Sequence, residues 1–419
     1  MQAVRPAGRQ HHGEPPEVSR GGRRGVSALR AGCLLLLLTV APAAFAVQFS
    51  QSTTQNPQGG WIREISGPLI GEKQLQVTRF VGSVEIITGV KSGGYTLRLY
   101  AREPQQKDAE RRFATYHLGV ERHNGVDMLQ PVGGVDLSLR AELVVQIPST
   151  TQVVHVDTLA GKIIIHGNLD RLEVRTHGGD IELDGAETLH AVTMGGSVTV
   201  NHLVGNSFIQ TGGGDIRVDA SSGDLEIASL GGNIWLKAIA RANIQAGGGN
   251  IDIVRCVGPL RIRTAGGNIN LGEMGGEVAA ETGGGNIRVG VAHGVVQAST
   301  ALGDIELWKL SQGAQAHTGM GRITAEFIGD RATLRNSELV TSAGNIVVYF
   351  AGDAPGNLMA VTGASPTKRI VSEFPELKIQ KGAAAYGPRS IAAEGTIHGG
   401  GPMINVRTMM GQIELRQAR

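Results

Sequence analysis

The chain has 419 residues, 41% of them hydrophobic, with 39 Lys and Arg against 37 Asp and Glu. Glycine takes 62 positions, about 15% of the chain and roughly twice the usual share. Interior glycine costs about 1 kcal/mol in a helix, which excludes a helical bundle; no Gly-X-Y period marks collagen, the apolar content is too high for disorder, and the near-zero net charge leaves no footprint for nucleic acid.

The first element is an export signal, expected over residues 1–46. Arg5, Arg9, Arg20, Arg23, Arg24 and Arg30 precede an apolar run, Leu34 to Val40, and a small-residue segment ending at Ala46. A basic n-region, an apolar h-region and a small-residue cleavage site define a secretory signal. The run is too short to span a bilayer. Cleavage after Ala46 removes six Arg and two Glu, so the remaining chain carries about 2 − 4 = −2. The expected location is the periplasm, the outer surface or the extracellular space, with no membrane span in the mature chain. Cys33 leaves with the signal, and Cys256, now alone, reads as a small buried hydrophobe.

Residues 47–140 show short strand-like runs, Leu75–Phe80, Ser83–Thr88 and Tyr95–Ala101, and a charged stretch, Glu103–Arg112, that reads as a short helix or loop. They do not follow the repeat that comes next and are expected to form a β-rich cap on its first coil. A bare end would expose sheet edges.

Residues 141–350 are organised by a repeat. A glycine precedes each Asp/Asn-Ile-x-Leu-like segment at 161, 179, 196, 214, 232, 249, 267, 285, 303 and 321, in steps of 18, 17, 18, 18, 17, 18, 18, 18 and 18. Further copies start at Gly344 and Gly411. A period this strict marks a solenoid. Each repeat holds two strands: a triplet such as Leu260/Ile262/Thr264 before the glycines, and a pair such as Ile251/Ile253 after them. Alternation places these residues on one face, where stacked coils bury them. The expected fold is all-β, a single-stranded parallel β-helix with about 18 residues per coil. The Gly-Gly-Asp/Asn step is expected to turn the corner, with glycine supplying positive φ. A hexapeptide acyltransferase helix also has 18-residue coils, but Ile216 finds Ser222 and Ala228 at sixfold spacing while Leu225, Ile227 and Leu230 fall out of phase.

Residues 351–419 hold a Pro- and Gly-containing insertion, 351–400, and a terminal coil, Met403–Leu415. The insertion is expected to cover the far end or a flank.

The Thr-x-Gly-Gly-Asp/Asn-Ile-x-Leu unit, Phe374-Pro375, Gly399-Gly400-Gly401 and the closing Val406-Arg407-Thr408 and Gly411-Gln412-Ile413-Glu414-Leu415 resemble the bacterial putative-adhesin family of unknown function. The resemblance covers about residues 140–419. It implies an exported β-helical envelope protein and carries no catalytic residues.

The candidate chemistry is weighed column by column. Calcium in a β-roll needs oxygen ligands from successive turns. The residue after each marker glycine runs Asp180, Ser197, Asp215, Asn233, Asn250, Asn268, Asn286, Asp304, Arg322, Asn345, with no acids in neighbouring coils, so a structural corner is expected. The column Thr176, Thr193, Thr211, Ser229, Ala246, Thr264, Thr282, Thr300, Thr318, Thr341 shares parity with the inward residues; an internal ladder is expected rather than an ice-binding face. Outward positions Glu182, Thr199, Arg217, Trp235, Asp252, Asn270, Arg288, Glu306 and Thr324 build no patch of one type. Phe208, Trp235 and Trp308 are the only aromatics between 160 and 320, too few for the platforms of a polysaccharide lyase or hydrolase, and no carboxylate pair for glycoside chemistry is discernible. His166 with Asp184, and Glu173 with His190, occupy matching positions in adjacent coils and read as surface pairs. His177 and His202 have no like neighbour at their phase.

No catalytic, cofactor-binding or metal-binding residue is assigned, and no cofactor is expected. The expected function is a non-catalytic binding or adhesin-like protein of the cell envelope. Its expected partner is an envelope protein or a surface glycan, with no nucleic acid. A periplasmic stress or signalling module and a polysaccharide-acting enzyme are the alternatives.

Overall fold

A computed structural model of the chain describes residues 49–70, 73–133, 138–363, 369–382 and 390–418. The export signal expected at 1–46 lies outside them. The described residues are all-β apart from one helix, Gln106–Phe113, which falls on the charged stretch and buries Ala109 and Phe113. The three early strands form at Gln74–Val81, Ser83–Val90 and Gly94–Ala101.

The strands of the repeats pair in parallel, with a strand 17 or 18 residues on as far as Ile323 and at longer spacings after it. In one ladder Ile234 pairs with Ile251, Ile251 with Ile269, and Ile269 with Ile287. In the other Leu260 pairs with Val278, Val278 with Val296, and Val296 with Ala314. The inward column Ile181, Val198, Ile216, Ile234, Ile251, Ile269, Ile287, Ile305 is buried throughout, with no member more than 1% exposed. Parallel pairing with both ladders buried on their inner face explains the Ile/Val/Leu choice at these positions.

The corner glycines are required for a reason other than the expected one. Of the corner glycines from 161 onward, only Gly161, Gly232 and Gly249 have positive φ (110°, 79° and 79°). What they share is close approach. A Cβ on Gly179 would sit 1.7 Å from the Gly161 carbonyl oxygen, one on Gly267 1.6 Å from that of Gly249, and one on Gly285 2.0 Å from that of Gly267. The same contact persists from Gly321 to Gly344 and from Gly344 to Gly411, where the spacing in sequence is irregular. Each carbonyl occupies the place of the next coil's side chain, so only glycine fits.

Two polar ladders lock these corners. Thr193, Thr211, Thr282, Thr300, Thr318 and Thr341 each donate from Oγ1 to a corner-glycine carbonyl of the preceding coil at 2.8–3.1 Å. The Oγ1 atoms of Thr176, Thr193, Thr211, Thr264, Thr282 and Thr300 accept from the glycine N–H three residues on at 3.0–3.4 Å. From Asp215 to Arg322 every corner Asp or Asn Oδ1 accepts the backbone N–H of its counterpart one coil later, at 2.6–3.1 Å. The threonine ladder breaks at Ser229 and Ala246. Ser229 Oγ donates within its own corner, to Gly231, and Ala246 has no hydroxyl. The corners that follow are those of Gly232 and Gly249, where φ is positive. With the side-chain tie lost, the backbone turns by the route that glycine alone tolerates.

Strands from the expected cap join the ladders. Val84–Ile87 pairs in parallel with Ile163–His166, and Gln74–Val77 with Val153–Val156. Gly82 lies under Gly161, whose Cβ would meet its carbonyl at 2.1 Å, so Gly82-Ser83-Val84-Glu85-Ile86 is a further copy of the unit. At the other end chain order and spatial order differ. Met403–Thr408 lies between Ser337–Ala343 and Gly356–Gly363, pairing in parallel with both. The insertion thus supplies the strands beyond the terminal coil, with Ser390–Ile397 antiparallel to Gly356–Gly363 and Lys378–Lys381 antiparallel to Ser390–Ile397. Stacked Phe327 and Phe350, with Phe374 edge-on to Phe350 at 5.6 Å, close the core there. Cys256 is buried beside the Ala240 and Gly258 carbonyls, and burial pushes its thiol up to about 11. Among the described residues no helix is long and apolar enough to cross a membrane.

Candidate functional site

The outward face of the threonine-bearing ladder holds an open groove of about 840 Å³. Its floor and walls come from the strands Ile163–Thr176, Ile181–Thr193, Ser207–Thr211, Ile216–Ser229 and Ile234–Ala246. Register aligns Glu173, His190, Phe208, Glu226 and Asn243 across five successive coils.

The groove lies where the coils shorten. Ile163 pairs with Ile181, 18 residues on, but Asn168 pairs with Gly185, 17 on, with the slip between Ile165 and Asn168. The same slip recurs between Ser221 and Asp224, after which Asp224 pairs with Arg241. The deleted residue comes from the bend between the two strands of a coil. The strands that make these pairings run through that bend unbroken, whereas Ile251–Cys256 and Leu260–Thr264 are separate. Both short coils lie within the groove's lining, and the 17-residue glycine steps are their trace in the sequence.

Within it, the His190 and Phe208 rings stack with centroids 5.1 Å apart and planes 17° from parallel. His190 Nδ1 is buried without a hydrogen-bond partner. Glu173 is in register with His190 as the spacing required, but its oxygens are engaged elsewhere, by His155 Nδ1 at 3.3 Å and Arg175 at 2.7 Å. Arg241 pairs with Asp224 at 2.5 Å, and Asn206 Oδ1 accepts the Asp224 N–H. The other matched pair, His166 and Asp184, does meet, at 3.5 Å, but His166 also lies 3.6 Å from Glu85; it sits half-exposed between two carboxylates, outside the groove. Nothing local marks the groove in the sequence, where Phe208 is one of three aromatics between 160 and 320.

A second groove of about 850 Å³ continues on the same ladder, lined by Gln210, Ser229, Gln245, Arg263, Glu281 and Ser299. It borders Ala246, where the threonine ladder is broken. The opposite ladder presents Trp235 under the Arg217 guanidinium, 4.0 Å from the ring centroid. Among the described residues no group of three or more His, Cys, Asp or Glu is placed to hold a metal ion. The corner carboxylates of Asp180, Asp215 and Asp304 are taken up by backbone N–H groups at 2.8, 2.6 and 2.7 Å.

Comparison with known proteins gives one family match. The Toastrack DUF4097 family model matches residues 84–349. No curated protein matches the chain. Among solved structures the chain is similar to a "putative adhesin" of Bacteroides fragilis, at 11% identity, 88% of this chain, 97% of that chain and a TM-score of 0.20. It is similar also to a "putative adhesin" of Parabacteroides distasonis, at 10% identity, 73% of this chain, 98% of that chain and a TM-score of 0.26. A further likeness is to a "putative cell adhesion protein" of Clostridium sporogenes, at 9% identity, 89% of this chain, 100% of that chain and a TM-score of 0.14. At TM-scores this low the likenesses carry no argument about how the chain works.

Proposed function

Since the chain belongs to the Toastrack DUF4097 family, whose model covers more than half of it, we propose that it is an exported, non-catalytic binding protein of the cell envelope. It is built as a parallel β-helix of about 18 residues per coil, over 141–350, between a β-rich cap at 47–140 and the insertion and terminal coil at 351–419. The parallel register of 17 or 18 residues supports the helical reading. The basic and apolar segments of residues 1–46 support export.

The groove carries the binding reading. Its backbone is consumed in the ladders, and Glu173 and Asp224 are held in ion pairs with arginines. A wall whose Glu173 and Asp224 carboxylates are already engaged by arginines suits holding a ligand rather than turning one over. A second reading, an envelope protein as partner, is favoured by the corner stripe of Leu302, Met320 and Met410, each more than half exposed and flanking Ala343 on successive coils.

Incubating the purified chain with isolated cell envelopes tests the proposal. The protein should sediment with the envelope and release no reducing ends from it. Retention that survives protease treatment of the envelope selects a glycan; retention lost with it selects a protein partner. A chain that stays in the supernatant, or that liberates reducing ends, contradicts the proposal.

A further inference from the structure

We propose that the groove lined by the two short coils binds a linear, uncharged glycan, with one face of Phe208 as its apolar contact. This rests on the binding reading above and names the ligand class.

The backbone offers nothing to a peptide. The strand Ser207–Thr211 is paired in parallel on both sides, so no open edge exists to which a peptide strand could be added. Recognition therefore falls to side chains, and their balance is informative. Arg171, Arg175 and Arg241 face Glu173, Asp224 and Glu226 across the lining, three cations to three anions. Two of the arginines are tied at 2.7 and 2.5 Å to carboxylates of the same wall. A polyanion such as nucleic acid or an acidic glycan meets no net positive potential here, and an acyl chain would have to desolvate six charges.

Hydroxyl groups fit this lining. Each hydroxyl both donates and accepts, and the Arg, Asp, Glu and Asn groups of the lining supply planar donors and acceptors. The aromatic contact has a defined side. His190 covers one face of the Phe208 ring, so the other face is turned toward the next coil, where Glu226 is the register partner of Phe208. A pyranose ring laid against that face buries its C–H side on the phenyl group and directs its hydroxyls to Glu226 and Asn243. The lining runs across six coils, from Arg171 to Pro259. With coils spaced by about 4.8 Å that is a length of about 25 Å, which suits a chain of sugars rather than a monosaccharide.

The test is calorimetric titration of the purified chain with cellohexaose and chitohexaose, and with hexagalacturonate as the acidic control. At least one neutral hexasaccharide should bind, and the acidic one should not. Phe208→Ala should weaken binding by about tenfold or more with an unchanged melting temperature, and Phe208→Tyr should retain it. Trp235→Ala, on the other ladder, should leave it unchanged. If Phe208→Ala fails to fold, Asn243→Ala carries the same expected loss. Binding of the acidic probe alone, binding indifferent to Phe208 and Asn243, or no binding of either neutral probe overturns the proposal. In the last case retention on envelopes is unaffected, so the broader function would stand without this ligand.

Discussion

Gly267→Ala should destabilise the protein by about 3 kcal/mol or more, while Gly266→Ala, one residue earlier, should change its stability by less than about 0.5 kcal/mol. The added methyl at 267 would lie 1.6 Å from the Gly249 carbonyl oxygen, with the Gly249 carbonyl carbon at 2.5 Å. These are backbone atoms held in a hydrogen-bonded ladder, so neither side can yield as a flexible side chain would. At Gly266 a methyl meets nothing within 4 Å. Equilibrium urea unfolding of the two variants checks the contrast. Equal effects would mean that the second glycine is not chosen for close approach between coils.

Ile251→Asp should cost several kcal/mol or open the central coils locally, whereas Asp252→Ala should cost about 0.5 kcal/mol. Ile251 is fully buried between Ile234 and Ile269. A carboxylate there has no partner and must either stay charged out of water or take up a proton. Asp252 points outward and accepts one exposed hydrogen bond, from Asn270 Nδ2 at 2.8 Å. Its loss returns both groups to water, which is nearly neutral. In an array of repeats the damage from Ile251→Asp should be concentrated in neighbouring coils, and hydrogen exchange would locate it. A reversal of the two outcomes would put the strand one residue out of register.

Much of this structure is legible from spacing alone. Isoleucine or valine recurs two residues after each corner glycine because the coil below demands an apolar partner at that point, and this places one ladder, as the triplets before the glycines place the other. What spacing could not show is where the chain leaves the period and returns to it. Gly82 begins a copy of the unit, but the excursion through residues 91–160 separates it from Gly161, so its segment reads as part of an unrelated cap. The insertion reads as a cover for the far end or a flank, and Gly356–Gly363 does lie outside the terminal coil, but no spacing shows that the last coil in sequence slips in beneath it. Local turn chemistry suggests positive φ for the corner glycines. The real constraint comes from the adjacent coil and is invisible to any local window.

The groove shows the same limit from the other side. Its signal was present, as two 17-residue steps among steps of 18, but a missing residue has no side chain to draw notice. Only the register shows that both deletions fall at the same bend, on either side of the coil in which Phe208 stacks on His190. The column of Asp and Asn corners, in contrast, was readable: neighbouring acids are avoided, and each side chain is taken up by the backbone of the next coil.

The stacking of coils 18 residues apart underlies every argument above, and cross-linking measures it directly. In a background with Cys33→Ser and Cys256→Ala, the pair Asp252→Cys and Asn270→Cys places two outward cysteines on register partners in adjacent coils. Parallel neighbours about 4.8 Å apart lie within the Cα range a disulfide bridges, roughly 4.4–6.8 Å. Asp252→Cys with Arg288→Cys places them two coils apart, about 10 Å, beyond that range. Mild oxidation of the folded protein should close the first pair rapidly and leave the second open; a second pair that closes as readily as the first would contradict the fold on which the groove and its proposed ligand depend.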